Sequence, residues 1–329
     1  MGVMTRLLAG GALAALASGA ALADPALIYD LGGKFDKSFN EAAYAGAQRW
    51  VEETGGAYKE LEMQSEAQRE QALRRLAETG ANPIVMTGFA FGDVLNKVAP
   101  DYPDTKFAII DMVVDQPNVQ SVVFTEEQGS YLAGVMAAMA SQSGTVGFIG
   151  GMDIPLIHKF ECGYAQGFKA VKPDGKLLIN YTGTTPAAWN DPVKGGELAK
   201  AQKSQGADVI YAAAGGTGIG VLQAAADEGI LSIGVDSNQN HLHPGKVLTS
   251  MVKRVDNAVF DAFTAGTDLA PGVTVMDLAA GGVGVAIDDN NKDLVTAEMQ
   301  AAVDDAAAKI ASGEIKVHDY ATDSTCPVQ

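Results

Sequence analysis

The runs Val146-Gly147-Phe148-Ile149, Val209-Ile210-Tyr211-Ala212 and Leu231-Ser232-Ile233-Gly234-Val235 decide the fold. Each is a short apolar run of strand-forming residues, and amphipathic stretches of helical period separate them. Ile157–Val171 and Pro192–Gln205 flank a further strand at Leu177–Tyr181, and Ile219–Glu228 leads into the last run. Strands alternating with helices of ~10–15 residues form βαβ units around a parallel sheet. The same alternation appears upstream. There the spacing predicts strands at Ala26–Tyr29, Pro83–Met86 and Phe107–Ile110, with helices at Ser38–Glu53, Glu66–Thr79 and Gly92–Ala99. Ser38 stands where an N-cap is expected. A helix at Glu127–Ser141 opens the second series, so the chain reads as α/β with two doubly wound lobes. After a strand at Val247–Met251 and a helix at Val255–Thr264 the pattern loosens, and a last helix falls at Ala297–Ser312. That tail is too short for a third domain and is expected to return and complete both lobes.

The 329 residues are 47% hydrophobic and 19% charged, enough for two independent cores and too apolar for intrinsic disorder. With 23 Lys and Arg against 40 Asp and Glu, the formal net charge is −17. Phosphate recognition draws on clustered cations, and no basic run appears, so nucleic acid is excluded as a partner.

The chain begins Met1-Gly2-Val3-Met4-Thr5-Arg6, continues uncharged from Leu7 to Leu22, and reaches the small-x-small end Ala21-Leu22-Ala23. This pattern predicts a secretory signal peptide over residues 1–23. The alternative, a membrane anchor, fits less well: the stretch is rich in Ala and Gly, falls short of the ~20 strongly apolar residues of a span, and meets Asp24-Pro25 at once. No cysteine near the cut offers a lipid attachment. The mature chain is therefore expected in the periplasm, with no membrane insertion. Its two cysteines, Cys162 and Cys326, are expected to pair in that oxidising compartment and clip the C-terminal tail to the body; two buried thiols are the alternative.

In open α/β sheets ligands bind beyond the carboxyl ends of the strands. Those ends read Asp30, Gly88, Asp111, Gly150-Gly151, Thr182-Gly183, Gly215-Gly216 and Asp236. Singly, each Asp could cap the next helix; as a set they describe a cleft lined by acceptors, with glycines that let backbone approach closely. Phe39 and Asn40 follow in the first helical turn after the loop Gly32–Ser38, where Phe39 can serve core or cleft. Trp189 occupies the comparable loop of the second series, and two aromatics from opposite lobes would clamp a flat ring. Catalytic and metal signals are poor. Gly216-Thr217-Gly218-Ile219-Gly220 lacks the third glycine of a dinucleotide loop, there is no Walker pattern, and no Ser sits in a GxSxG elbow. His241-Leu242-His243 has no third ligand nearby, so no metal and no cofactor are expected.

The colinear set Asp36-Lys37-Ser38-Phe39-Asn40, Asp111, Trp189-Asn190-Asp191-Pro192, Gly234-Val235-Asp236-Ser237-Asn238-Gln239 and Val247–Lys253 resembles the basic membrane protein family. These are purine-nucleoside-binding substrate-binding proteins of ABC transporters. The resemblance runs from about Ala26 to Phe260 and implies the type I periplasmic binding protein fold, two Rossmann-like lobes joined by a three-segment hinge. It places the lobes at 24–125 plus 252–282 and at 126–251 plus 283–329. It implies that Phe39 and Trp189 sandwich a purine, that Asp30 and Asn40 bond its edge, and that Asp111, Asp236, Lys253 and the backbone at Gly215 hold the ribose. Vicinal hydroxyls are donors suited to carboxylates, and Lys253 adds a compensating charge. A neutral nucleoside is thus expected over a nucleotide, delivered by a monomer to an ABC permease without catalysis. Trp189 stands where the family often has Phe, and whether Phe160 or Met112 shapes the pocket is open. A sugar or autoinducer receptor of the same fold is the alternative, and a secreted nucleoside hydrolase a more distant one.

Overall fold

The computed structural model describes residues 23–328, so the signal-peptide expectation falls almost wholly outside the described residues. The chain runs β1 (Ala26–Tyr29), α1 (Phe39–Thr54), β2 (Lys59–Glu62), α2 (Arg69–Glu78), β3 (Ile84–Thr87), α3 (Gly92–Val98), β4 (Phe107–Ile110) and β5 (Val119–Phe124). It continues through α4 (Glu126–Ala140), β6 (Thr145–Met152), α5 (Pro155–Val171), β7 (Lys176–Gly183), α6 (Pro192–Ser204), β8 (Val209–Ala213), α7 (Thr217–Asp227), β9 (Leu231–Asp236) and β10 (Val247–Lys253). It closes with α8 (Val255–Ala265), β11 (Gly272–Met276), β12 (Val283–Val285) and α9 (Ala297–Ala311).

Two six-stranded sheets result, ordered β11-β5-β4-β3-β1-β2 and β12-β10-β9-β8-β6-β7. All pairings are parallel except β10 with β12. The strands β1, β3, β4 and β8 are buried along their whole length, as helices on both faces of a parallel sheet require. The chain passes between the sheets three times, from β5 to α4, from β10 to α8 and from β11 to β12. This α/β arrangement of two mostly parallel sheets is the periplasmic binding protein architecture.

Four strands escape the alternation rule. β2 is Lys-Glu-Leu-Glu, a half-exposed edge strand whose charge hides its geometry. β5 follows β4 with no helix between them, β11 is an exposed edge beginning at Gly272, and β12 is three residues long. Strand β6 also runs on to Met152, so Gly150 and Gly151 lie inside a strand rather than beyond its end. The Ser38 capping expectation is corrected as well. Ser38 holds the N-cap position of α1 but makes no capping bond. The Asp36 carboxylate accepts from the backbone N–H groups of Ser38 (2.8 Å), Asn40 (3.0 Å) and Glu41 (3.1 Å) instead, a loop-borne cap that satisfies donors the helix leaves free.

Candidate functional site

The carboxyl ends of both sheets face one cavity, which encloses about 640 Å³ when its open mouth is counted. Of the residues singled out from the sequence, Asp30, Phe39, Asn40, Asp111, Trp189, Gly215, Asp236 and Lys253 all line it. Phe160, Leu156 and Asp36 line it too, whereas Met112 does not and is 39% exposed.

Lys253, the last residue of β10, is the electrostatic centre. It is 2% exposed, and its Nζ lies 2.7 Å from Asp111 and 2.9 Å from Glu126. The ring centroids of Phe124, Phe39 and Phe160 lie 4.9, 5.3 and 5.6 Å away, within cation–π reach. Asp111 follows β4 in one sheet and Asp236 ends β9 in the other; both hold φ in the left-handed region, 73° and 62°, where Asp is tolerated better than most residues. Glu126 opens α4 at the first passage between sheets and also meets Lys159 of α5, 2.6 Å away. Lys159 reaches that far because α4 and α5 pack closely: a Cβ at Gly163 would run into the Glu127 backbone.

Burial pushes the Asp111 carboxyl up to about 6 against the pull of Lys253, with Glu126 and Asp236 adding to the rise. Asp236 is raised by burial too. Burial opposes Glu126, but Lys253 and Lys159 outweigh it and hold its carboxyl below the usual value. Lys253 loses by desolvation and gains more from Asp111, Glu126 and Asp236, so it stays protonated. Three carboxylates therefore crowd one ammonium, leaving acceptors to spare for a donor-bearing ligand and repelling an anion.

Asp30, after β1, is fixed by Arg69 at 2.7 Å and by its own N–H to Thr87 Oγ1 at 3.0 Å. The Asn40 amide is already engaged: its Nδ2 donates to the Asp30 and Gly33 carbonyls, both at 3.2 Å, and its Oδ1 accepts from Thr87 at 2.9 Å. Asn40 thus braces the loop that carries the site. Trp189 enters from the second lobe. Its ring occupies the space a Cβ at Gly151 would need, and its backbone and Cβ come up against Gly215 and Gly32. Gly151 is the position where the missing side chain admits the indole.

Glu126, Arg69 and Lys159 carry no signal in the sequence, since each acts through a partner distant in the chain. Neither Cys162 of α5, which is buried, nor Cys326 of the tail lines the cavity, and the two are disulfide-bonded with Cα atoms 5.6 Å apart. Among the described residues no cluster of metal ligands occurs, and no helix is long and apolar enough to cross a membrane.

Two mostly parallel sheets around a cavity lined from both are the architecture of ABC-transporter substrate-binding proteins. The profile of the PnrA-like ABC transporter substrate-binding proteins matches residues 26–321, and the chain belongs to that family. It is 34% identical over 318 residues to the ABC transporter nucleoside-binding protein BmpA of Lactococcus lactis, covering 89% of this chain and 88% of the relative. It is 32% identical over 292 residues to basic membrane protein A1 of Borrelia garinii, covering 86% and 84%. An ABC transporter solute-binding protein of Aeropyrum pernix shares the fold with a TM-score of 0.82 and 28% identity, over 90% of this chain and 93% of that one.

Proposed function

We propose that the protein captures a purine nucleoside in this cavity, in the periplasm, and presents it to an ABC permease as a non-enzymatic receptor. The observation that carries the reading is the cluster of Asp111, Glu126 and Asp236 around Lys253 in a cavity whose walls include Phe39, Phe160 and Trp189. A nucleoside matches both halves, with a flat ring for the aromatics and two vicinal hydroxyls for the carboxylates. Phe39 and Trp189 stack the base from opposite lobes, and Asp30 accepts from its edge. Asp111, Asp236, Lys253 and the Gly215 backbone hold the ribose. Asn40, expected at the base edge, acts here through the loop, because its amide is bonded to protein on both sides. The relative from Lactococcus named for nucleoside binding supports the choice. The lobes in this reading are 24–125 plus 252–282 and 126–251 plus 283–329, and the three passages between them serve as the hinge.

Thermal shift with a ligand panel tests the proposal. At ~100 Kd a ligand adds about 2.7 kcal/mol of stability, which is readily seen as a rise in Tm. Guanosine, inosine or adenosine should raise Tm, while nucleoside monophosphates and free pyranoses should not. A response to pyranoses alone would replace the nucleoside by a sugar. Hypoxanthine released from inosine would make the protein a hydrolase.

A further inference from the structure

The two lobes touch directly through groups that do not line the cavity. Ser237 Oγ donates to the Ser38 carbonyl at 2.7 Å, and Gln239 Nε2 donates to the Lys37 carbonyl at 2.8 Å. Ser38 Oγ in turn donates to Asp236 at 2.6 Å, which ties this contact to a residue that does line the cavity. Lys37 and Ser38 belong to the loop before α1, and Asp236, Ser237 and Gln239 to the end of β9 and the turn after it, so all three bonds cross between lobes.

Both sides are built in advance. Gln239 is 1% exposed; its Oε1 accepts the Val235 N–H at 2.9 Å and its own N–H donates to Ser250 Oγ at 2.9 Å, which leaves Nε2 aimed across the cleft. On the facing side Lys37 is held at φ 60°, a conformation unfavourable for a residue with a long side chain, and its carbonyl is the one Gln239 meets. Neither Ser237 nor Gln239 lines the cavity, so their bonds depend on the approach of the lobes alone.

We propose that Ser237 and Gln239, with the Lys37–Ser38 carbonyls, form an interlobe latch that sets ligand affinity from outside the binding cavity; the affinity part rests on the reading of the cleft as the ligand site. A receptor that binds tightly only when its lobes meet has an apparent Kd equal to its intrinsic Kd divided by the fraction in the competent arrangement. The latch raises that fraction without touching the ligand, and so slows dissociation. Ser237 and Gln239 are positioning residues in this scheme.

The test is small-angle scattering and guanosine calorimetry on the full mature protein and on Ser237→Ala, Ser237→Thr and Gln239→Glu. Ser237→Ala removes one crossing bond, equivalent to about a fivefold loss of affinity, and should increase the radius of gyration of the ligand-free protein. Saturating guanosine should restore the compact value. Ser237→Thr keeps the hydroxyl and should behave as the parent. Gln239→Glu keeps the acceptor for Val235 while replacing the donor to Lys37, and should act in the same direction as Ser237→Ala at neutral pH. Should Ser237→Ala fold poorly, Gln239→Glu carries the comparison. Unchanged scattering and affinity in the Ala and Glu variants would overturn the latch, as would an equal loss in the Thr variant. If guanosine fails to bind the parent protein, the nucleoside reading falls, and the scattering of the ligand-free variants alone decides whether the latch exists.

Discussion

Replacing Lys253 by Met keeps most of the buried stem and removes the cation that contacts both Asp111 and Glu126, leaving Lys159 on Glu126 alone of the two. Removing one partner of a buried ion pair costs about 3–5 kcal/mol, because the surviving charge stays out of water without compensation. Here the geometry places the pair near the top of that range: Lys253 is 2% exposed, Glu126 1%, and two carboxylates contact the ammonium within 2.9 Å. Against a typical total of about 5–15 kcal/mol, that is a large fraction of the protein's stability. Urea unfolding at pH 7.5 followed by circular dichroism reads it as a lower midpoint at unchanged slope. The loss should shrink at pH 5. Without Lys253 the folded-state carboxyls of Asp111 and Asp236 rise further above their unfolded values, so proton uptake on lowering the pH favours the folded state. The solvent-exposed pair Lys292–Asp289 provides the control, and Lys292→Met should leave the midpoint unchanged. A Lys253→Met midpoint equal to the parent at pH 7.5, or a loss that does not depend on pH, would mean that Lys253 does not neutralise the buried carboxylates.

The pH dependence of the unaltered protein has two opposite signs. Asp111 at about 6 and Asp36 and Glu127 at about 7 are all raised by burial, so their stabilising contribution is present below the unfolded carboxyl range and lost as pH rises through 6 to 7; urea midpoints should fall from pH 5 to pH 8. Nucleoside affinity should move the other way, weakening below about pH 6, because hydroxyl donors need Asp111 and Asp236 ionised, and calorimetry at pH 5 and 7.5 reads this. Gly151→Ala puts a methyl group into the Trp189 ring position and should displace the indole, costing nucleoside affinity tenfold or more while the circular dichroism spectrum is retained. Cys162→Ser with Cys326→Ser frees the tail from α5 and should lower stability by roughly 2–5 kcal/mol in urea titration with little change in affinity, since the bridge lies outside the cavity.

What could be read from the sequence follows from range. Strands such as Val209–Ala213 and Phe107–Ile110 advertise themselves, because full burial demands continuous apolar residues over a few positions. Asp30, Asp111 and Asp236 were legible for the same reason: a strand end is a local feature, and the topology rule of α/β sheets converts it into a site. β2 was not, because Glu60 and Glu62 face solvent at an edge and a half-buried Lys59 stands where an apolar residue would mark the inner face. Glu126 and Lys159 were illegible in another way. Each looks like an ordinary charged residue on a helix, and only the docking of α4 on α5 buries them together behind Lys253. Ser38 does not take the capping role its position suggests, since it is drawn across the cleft to Asp236 and the carboxylate two residues earlier supplies the cap. Asn40 lines the cavity, while the direction of its amide depends on Thr87 and the Asp30 carbonyl, 47 and 10 residues away.

The most direct measurement is a calorimetric titration of guanosine into the mature protein and into Asp236→Ala. Guanosine should bind the parent protein one-to-one and the variant at least tenfold more weakly, because there the ribose hydroxyls lose a buried acceptor and Lys253 loses a compensating charge. Equal guanosine affinity in the two proteins would contradict the assignment of Asp236 to the ribose.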